Sequence, residues 1–455
     1  MNNMFLAGPF KSQQQESRLD NLPVHGAIPA DLRGTLFRVG SNPFFEPKYP
    51  DKYHWFDGDG MVHAITIEDD AVSIANRYVA TEGLKAEQQV GRSLYGSFMH
   101  GGEPLVMDGS QPFLKNPANT NVLRMGDNVL VFCEGQVPHR LDPKTLDTTG
   151  MFDFGGIEGP VTAHFKIRPD GEFVFFGAMG PMVNFYRATA DGKLFAQHTF
   201  QQDAPSFLHD FTITDKYAIF ISSPALASIE YVIEGKPSTI WDPSVTTKFG
   251  LLEIETGEMR WYDATHPFAP THFVNSFEED GKVVIDVSCA PDFGARIGER
   301  NPFSVATPWR WTINPADGAV EGVQISPINS EFARFDERLT GKPYQYGYYA
   351  ATKTGEFCED FLFDHLVKID SSTGEAVFNS GADDLTSPGE AVFVPRAGSL
   401  GEDDGYILSI WWNSEKDQSE LLISDARNFD AAPLARIELG QRVPLGFHGN
   451  WWPAQ

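Results

Sequence analysis

Four histidines have the neighbours expected of inward-facing side chains that could bind a metal ion. Each is flanked by apolar or small residues near the start of a strand-like run: His164 in GPVTAHFK, His209 in SFLHDFTIT, His272 in APTHFVNSF and His448 in GFHGNWW. Four neutral imidazoles leave a divalent ion its full charge and favour borderline metals such as Fe or Zn. An octahedral ion would keep two open positions, which suits O2 activation. The spacing alone leaves open the alternative that each is a hydrogen-bonded core histidine.

Strands must position these side chains, because the chain has an all-β pattern almost throughout. Short apolar or alternating runs such as EFVFFG, YAIFIS and KVVIDVS are separated by Gly, Asp, Pro and Asn turns. Helical periodicity is weak, and the best candidate for a short helix is GLKAEQQVG, residues 83–91. No linker or charge shift marks a boundary, so the sequence predicts one domain over residues 1–455, with a flexible N-terminal segment over about residues 1–18.

A turn motif recurs between strand-like runs and indicates the architecture. It is present in RLDPKTLDT, LLEIETGEM, TINPADGAV and KIDSSTGEA, which begin about 111, 61 and 56 residues apart. A period of about 56 residues fits one four-stranded propeller blade, and the length then allows about seven blades. Such turns also occur in other β proteins, and a two-domain β-sandwich is the alternative. In a propeller the first strands line the central axis, where widely spaced histidines can converge.

Composition excludes several classes of partner. The formal net charge is −27, from 62 acidic and 35 basic residues. Nucleic-acid binding requires clustered Lys and Arg, and attachment to anionic lipid requires basic residues as well, so neither is expected. No run approaches the roughly 18 apolar residues of a membrane span. Shallow apolar contact with a membrane is compatible with this charge, and the oligomeric state has no signal in the sequence.

Cysteine usage and the start of the chain indicate the compartment. Cys133, Cys289 and Cys358 are scattered without CxxC spacing, which fits a reducing environment and excludes a disulfide framework. The first residues, MNNMFLAGPFKSQQQ, lack the basic and long apolar regions of a signal peptide. The sequence therefore predicts a cytoplasmic protein.

The chain ends in GFHGNWWPAQ, residues 446–455, which is too aromatic for an expendable tail. Gly446 and Gly449 would give the backbone room beside His448, and Trp451 and Trp452 would anchor the segment. We expect that removing the final eight residues abolishes metal binding, whereas removing the first fifteen does not.

Several motifs together resemble the carotenoid cleavage oxygenase family, in the right order from about residue 20 to the C-terminus. They are DLRGTLFRVGSNP, HWFDGDGMVHA, FCEGQVPHRLDP, SFLHDFTIT, GEAVFVPR and the closing FHGNWW. The resemblance implies a seven-bladed β-propeller with a cap of loops and a short helix over an axial Fe(II) site. Its four ligands match His164, His209, His272 and His448.

The resemblance also implies residues that surround the metal ligands. Three glutamates of the family accept hydrogen bonds from ligand imidazoles and match Glu134, Glu331 and Glu390. A carboxylate on one ring nitrogen fixes the tautomer and directs the other nitrogen toward the metal. Thr120 matches a position beside the open coordination sites, where its methyl group limits what binds iron.

Two departures concern the substrate. Stilbene- and isoeugenol-cleaving relatives hold a phenolic oxygen with a Tyr and a Lys, but this chain has Phe98 and Cys133 at the matching positions. A Phe/Cys pair cannot hold a 4-hydroxyl group, which favours a less polar or differently anchored alkene, with Tyr95 and His100 as alternative anchors. Phe56 and Phe303 match positions that line the substrate tunnel in relatives, and both are equally compatible with core packing.

The activity implied by the resemblance is oxidative cleavage of a conjugated C=C bond by O2, which gives two carbonyl products. Apocarotenoids, stilbenes and phenylpropenes such as isoeugenol or 4-vinylphenols are the candidate substrates. Isomerohydrolase chemistry, which one branch of the family performs, is a second enzymatic hypothesis. A propeller that only binds partners and has no chemistry is the alternative from another class.

Overall fold

The strands of this protein, seen in a computed structural model, radiate as seven antiparallel sheets. The structure describes residues 3–69, 71–103, 114–293, 305–354 and 362–454. Within these ranges seven sheets have four to six strands each, paired in sequence order except where strands near the two ends of the chain join two of them. Ala225–Ala227 and Thr239–Trp241 form a further, two-stranded sheet. The predicted seven-bladed β-propeller is therefore confirmed, and the strands do not form a two-domain β-sandwich.

We number the blades from the ring closure and give their strands from the inside outward. Blade 1 contains Gly449–Pro453, Gly34–Ser41, Gly60–Glu68, Ala71–Tyr78 and Ser17–Leu19, and blade 2 contains Asn121–Met125, Asn128–Phe132, His139–Leu141 and Thr148–Met151. Blade 3 contains Lys166–Ile167, Phe173–Met179, Met182–Ala188 and Leu194–Gln201. Blade 4 contains Thr212–Ile213, Tyr217–Ser222, Lys248–Glu253 and Met259–Asp263. Blade 5 contains Ala269–Glu279, Lys282–Ala290, Thr307–Ile313 and Val320–Gln324, and blade 6 contains Ser330–Arg334, Tyr346–Ala351, His365–Asp370 and Ala376–Asn379. The innermost strand of blade 7 is split into Ser387–Pro388 and Val392–Pro395, which follow one another along Gly405–Asn413. Outside them lie Gly405–Asn413, Gln418–Asp425, Ala435–Glu438 and Val24–Gly26.

The recurring turn motif joins the third strand of a blade to the fourth. In blade 2, Asp142 Oδ1 accepts hydrogen bonds from the backbone N–H groups of Lys144 and Thr145. In blade 6, Asp370 Oδ1 accepts hydrogen bonds from the backbone N–H groups of Ser372 and Thr373. Such Asx turns reverse the chain because the side chain replaces a backbone partner. Blade 3 has its own turn at residues 189–193, so the first sequence step of about 111 residues covers two blades.

Both ends of the chain close the ring. The C-terminal strand Gly449–Pro453 is the innermost strand of blade 1 and pairs with Gly34–Ser41. The N-terminal strands lie on the outside instead: Ser17–Leu19 pairs with Ala71–Tyr78 in blade 1, and Val24–Gly26 pairs with Ala435–Glu438 in blade 7. These pairings join distant parts of the sequence and leave the ring without an open seam.

The N-terminal segment is packed, which differs from the flexible segment predicted over residues 1–18. Met4–Leu6 and Gly8–Phe10 form two short 3-10 helices, and Phe5 and Phe10 are only 4% and 2% exposed. The Phe10 ring lies 5.1 Å from that of Trp55. The physical reason is that burial of aromatic surface stabilises the segment. The polar run that follows in the sequence gives no sign of this burial.

Helices are few and short in the described chain. Glu82–Val90 confirms the predicted helix near residues 83–91: Thr81 caps its start by accepting from Leu84 N–H, and Gly91 ends it with a φ of 72°. Ile229–Ile233 is the other α-helix, and Trp55–Asp57 and Glu337–Leu339 are further 3-10 helices. The described helices include none long and apolar enough to cross a membrane.

Candidate metal centre

The four predicted histidines converge at the start of innermost strands from four blades. His164 lies just before Lys166–Ile167, His209 before Thr212–Ile213 and His448 before Gly449–Pro453, while His272 lies within Ala269–Glu279. One ring nitrogen of each lies within 4.8 Å of those of the other three. The Nε2 atoms of His164 and His209 are 3.2 Å apart, and those of His209 and His272 are 3.0 Å apart.

This donor set fits one metal ion. Nitrogen ligands about 2.0–2.1 Å from a common ion lie roughly 3–4 Å from one another, which matches the nitrogen separations. Burial and the neighbouring His209 ring lower the pKa of His164 well below its usual value, and burial also lowers the pKa of His448. For His272, burial lowers the pKa but the Glu331 carboxylate raises it, and the net direction is upward. His164 and His448 are therefore the imidazoles whose surroundings favour the neutral form, with the free lone pair that a metal requires.

The three predicted glutamates contact three of these histidines on the opposite ring nitrogen. Nδ1 of His209 lies 2.5 Å from Oε1 of Glu134, and Nδ1 of His448 lies 2.8 Å from Oε1 of Glu390. His272 Nδ1 contacts Glu331 Oε2. Glu331 and Glu390 accept the Nδ1 protons of His272 and His448, and Glu134 lies at ion-pair distance from Nδ1 of His209. Carboxylates on Nδ1 leave Nε2 directed at the cluster.

Irregular backbone places two of these glutamates. Blade 7 has a split innermost strand, and Glu390 lies in the gap between Ser387–Pro388 and Val392–Pro395. In blade 6 the register shifts between Glu331 and Arg334, as β-bulges near functional sites do. Burial opposes ionisation of Glu331, but His272 and hydrogen bonds from Thr271 and Phe332 N–H lower its pKa to about 2.

Thr120 is held beside the cluster. Its Oγ1 lies 3.2 Å from Glu134 Oε2 and 3.1 Å from Asn119 Oδ1. Its carbonyl oxygen accepts a hydrogen bond from His448 N–H at 3.1 Å. Thr120 therefore links the glutamate of one histidine to the backbone of another.

The predicted substrate residues are not all brought to the cluster. Phe56 packs against the residue that precedes His448, with its ring centroid 5.6 Å from that of Phe447. Cys133 directly precedes Glu134, and burial together with that carboxylate raises the pKa of its thiol. Phe98 is 44% exposed, and its backbone N–H donates to Asp57 Oδ1. Phe303 lies outside the described residues.

The two alternative anchors have their own surroundings. Nδ1 of His100 lies 2.7 Å from the Lys52 carbonyl oxygen. Tyr95 lies under the Lys115 ammonium, 5.9 Å from its ring centroid. No contact in the described chain joins either side chain to the four histidines.

Two arginines that the sequence did not predict, the buried Arg38 and the partly buried Arg334, hold Glu390 and the C-terminal segment. Nη1 of Arg38 lies 3.4 Å from Glu390 Oε2, and Nη1 of Arg334 lies 3.3 Å from Oε1. Arg38 also donates to the Gly446 carbonyl and Arg334 to the Gly449 carbonyl, on either side of His448. Burial raises the pKa of Glu390 while Arg334 and His448 lower it, and the net direction is downward.

Phe332 is a third residue without a sequence signal. It has a φ of 56°, which is uncommon outside glycine. Its ring centroid lies 5.4 Å from that of His272 and 5.5 Å from that of His448. The bulge after Glu331 thus places an aromatic wall against two of the histidines.

Comparison with known proteins identifies the family of this centre. The sequence matches the retinal pigment epithelial membrane protein family over residues 10–453. The chain belongs to this family. The expected membership among the carotenoid cleavage oxygenases is thereby confirmed, and the chain is an alkene-cleaving oxygenase of an iron-dependent family.

Relatives match over nearly their whole length. An apocarotenoid-15,15'-oxygenase from Synechocystis is 33% identical, with 97% of this chain and 95% of the relative covered. The crystal structure of Pseudomonas brassicacearum lignostilbene dioxygenase superposes with a TM-score of 0.91 at 28% identity, covering 99% of each chain. A cobalt-substituted Synechocystis apocarotenoid oxygenase superposes with a TM-score of 0.88 at 31% identity, covering 97% of each chain.

Proposed function

We propose that this oxygenase binds Fe(II) through four imidazoles and cleaves an apolar, conjugated alkene with O2 into two carbonyl products. The proposed ligands are His164, His209, His272 and His448. The observation that carries the proposal is the convergence of four Nε2 atoms, three of which belong to rings with a glutamate on Nδ1. Iron bound there supplies the site at which O2 is activated.

The protein's part in this reaction is orientation and exclusion of water. The surroundings of the cluster include the Phe332 ring, which lies against His272 and His448, and the Thr120 side chain. Such walls hold an alkene in place by apolar contact and keep water away from reactive oxygen. Thr120 is proposed to restrict access to the open positions, because its hydroxyl is engaged by Glu134 and Asn119.

The substrate is proposed to lack a clamped phenol. The Cys133 thiol stays protonated because its pKa is raised, and the Phe98 ring offers no hydrogen bond. Neither group can orient a 4-hydroxyl, so an apocarotenoid or a nonphenolic aryl alkene is favoured over a 4-hydroxystilbene. The cytoplasmic location remains a prediction from cysteine usage.

Metal content and product analysis test the proposal together. We expect purified protein to contain near-stoichiometric iron, and alanine at each of the four histidines to remove it. O2 uptake and product mass are then measured with apocarotenals, stilbenes and 4-vinylphenols side by side. Folded protein that binds no iron, or that yields no carbonyl pair from any of these alkenes, would contradict the proposal and favour a binding scaffold.

A further inference from the structure

The carboxylates around the cluster are unevenly shared among the four histidines. His209, His272 and His448 each have a glutamate within hydrogen-bond distance of Nδ1. His164 has none. In the described chain the only carboxylate within 4 Å of a ring nitrogen of His164 belongs to Asp210, the residue after His209, with its Oδ1 3.7 Å from Nδ1.

Asp210 is built into the junction of blades 3, 4 and 5. It is 5% exposed, and Oδ1 accepts from the Lys166 ammonium at 3.0 Å and from Phe211 N–H at 2.7 Å. Oδ2 accepts from Phe273 N–H at 3.0 Å. Phe273 follows His272 directly, so one side chain contacts segments that belong to three of the four histidines.

We propose that Asp210 is a positioning residue that holds His164, His209 and His272 at the spacing a metal ion needs. This inference rests on the proposed metal site. The negative charge of Asp210 attracts the Nδ1–H side of the His164 ring, which favours the tautomer with a free lone pair on Nε2. Its two oxygens fix the backbone next to His209 and His272. Asp210 thus serves the histidine that lacks a glutamate.

The Lys166 contact offers a second explanation, in which Asp210 merely completes a buried ion pair. In that case loss of the Asp210 carboxylate would destabilise the fold but leave the affinity and the visible absorption of the metal site unchanged. Asp286 in blade 5 is a matched case: it is fully buried, is bound by Arg310 at 2.8 and 2.6 Å, and accepts from Tyr344 Oη. No contact joins its carboxylate to the cluster in the described chain.

Cobalt(II) titration of metal-free protein tests the proposal without relying on catalysis. Asp210→Asn removes the charge, Asp210→Glu keeps it, and Asp286→Asn is the control for loss of a buried carboxylate. We expect Asp210→Asn to weaken Co(II) binding by roughly 10- to 100-fold, as loss of a ligand's hydrogen-bond partner does elsewhere, and to change the visible absorption of the bound ion. Asp210→Glu should lose less affinity, and Asp286→Asn should bind Co(II) like the wild type.

Lys166→Met provides an independent variant if Asp210→Asn does not fold. Removing the ammonium relieves its repulsion of a metal cation while Asp210 keeps its charge, so Co(II) binding should be unchanged or tighter. Equal losses in the Asn and Glu variants, a wild-type spectrum in Asp210→Asn, or weakened binding in Lys166→Met would overturn the inference. Failure of the wild type to bind Co(II) would instead contradict the proposed metal site.

Discussion

Arg334 shows how much the site depends on a single side chain. Its side chain is 12% exposed, forms an ion pair with Glu390 and donates to the Gly449 carbonyl. Breaking a buried ion pair altogether costs about 3–5 kcal/mol, but Glu390 keeps Arg38 as a second partner. We therefore expect Arg334→Met to lower the free energy of unfolding by less than that amount and to weaken metal binding through His448. Urea denaturation and Co(II) titration measure the two effects.

Arg260→Met is the control for that substitution. Arg260 pairs with Glu258 at the surface, where its side chain is 60% exposed, and solvent-exposed ion pairs contribute little to stability. If Arg334→Met were no more destabilising than Arg260→Met, the arginine would not hold the C-terminal segment as described.

Substrate choice also belongs to individual residues. We expect the double variant Phe98→Tyr, Cys133→Lys to improve kcat/KM for a 4-hydroxystilbene relative to its methyl ether by roughly tenfold or more, because a hydrogen bond to a charged group contributes about 1.5–3 kcal/mol. Metal content must be checked first, since the new ammonium would lie beside Glu134. Phe98→Leu with Cys133→Ser is the control. An unchanged preference in the double variant would refute the argument from the missing clamp.

Sequence reasoning found the residues with recognisable neighbours and missed those defined by packing. The four histidines and three glutamates come together as expected, although burial alone did not mark them: His54, His63 and His139 are buried as well and lie outside the cluster. Arg38, Asp210 and Phe332 carry no local signal. Their positions depend on contacts between different blades and on a bulge, neither of which is encoded in a short motif.

At the scale of elements, the two termini support one another. Leu445 N–H donates to the Pro9 carbonyl at 2.8 Å, and Arg442 donates to the Gly8 carbonyl. Trp55 packs between them, with its ring 4.4 Å from that of Phe447 and its Nε1 donating to the Leu445 carbonyl. The N-terminal segment therefore contacts and supports the stretch of chain that leads to His448.

This packing changes the expectation for terminal deletions. Removal of residues 448–455 takes away His448 and the innermost strand of blade 1, and should abolish tight metal binding. Removal of residues 1–11 should lower the melting temperature and also weaken metal binding, because it uncovers Trp55 and frees Leu445.

Phe5→Ala is the milder test, with an expected cost of about 3–5 kcal/mol for a buried phenylalanine. Differential scanning calorimetry and Co(II) titration check each variant. An unchanged melting temperature in the variant that lacks residues 1–11 would show that the N-terminal segment does not support the stretch before His448.

Element prediction succeeded where local chemistry defines an element. The recurring turns were predicted between strands, although the sequence did not show that they join the third strand of a blade to the fourth. The capped helix Glu82–Val90 was predicted within one residue. The innermost strands were harder, because Lys166–Ile167 and Thr212–Ile213 have only two residues each. The outer N-terminal strands depend on pairing with residues far away in the sequence, which local patterns do not contain.

Across the whole molecule, every blade contributes one member of the metal centre. Blades 1, 3, 4 and 5 supply His448, His164, His209 and His272, and blades 2, 6 and 7 supply Glu134, Glu331 and Glu390. A propeller suits this task because its innermost strands all approach one axis. The ring must be closed before the site is complete, since His448 and Gly449–Pro453 arrive last in the sequence.

A metal ion that joins four blades should therefore stabilise the whole ring. A ligand at roughly 100 times its dissociation constant adds about 2.7 kcal/mol to the free energy of unfolding. We expect chelation of the metal to lower the melting temperature and readdition of Fe(II) under anaerobic conditions to restore it. In His164→Ala the metal-dependent shift should be largely lost, because one of the four nitrogens is gone. A melting temperature that rises equally with metal in wild type and His164→Ala would show that stabilisation comes from metal bound elsewhere, because only binding at the axis requires that imidazole.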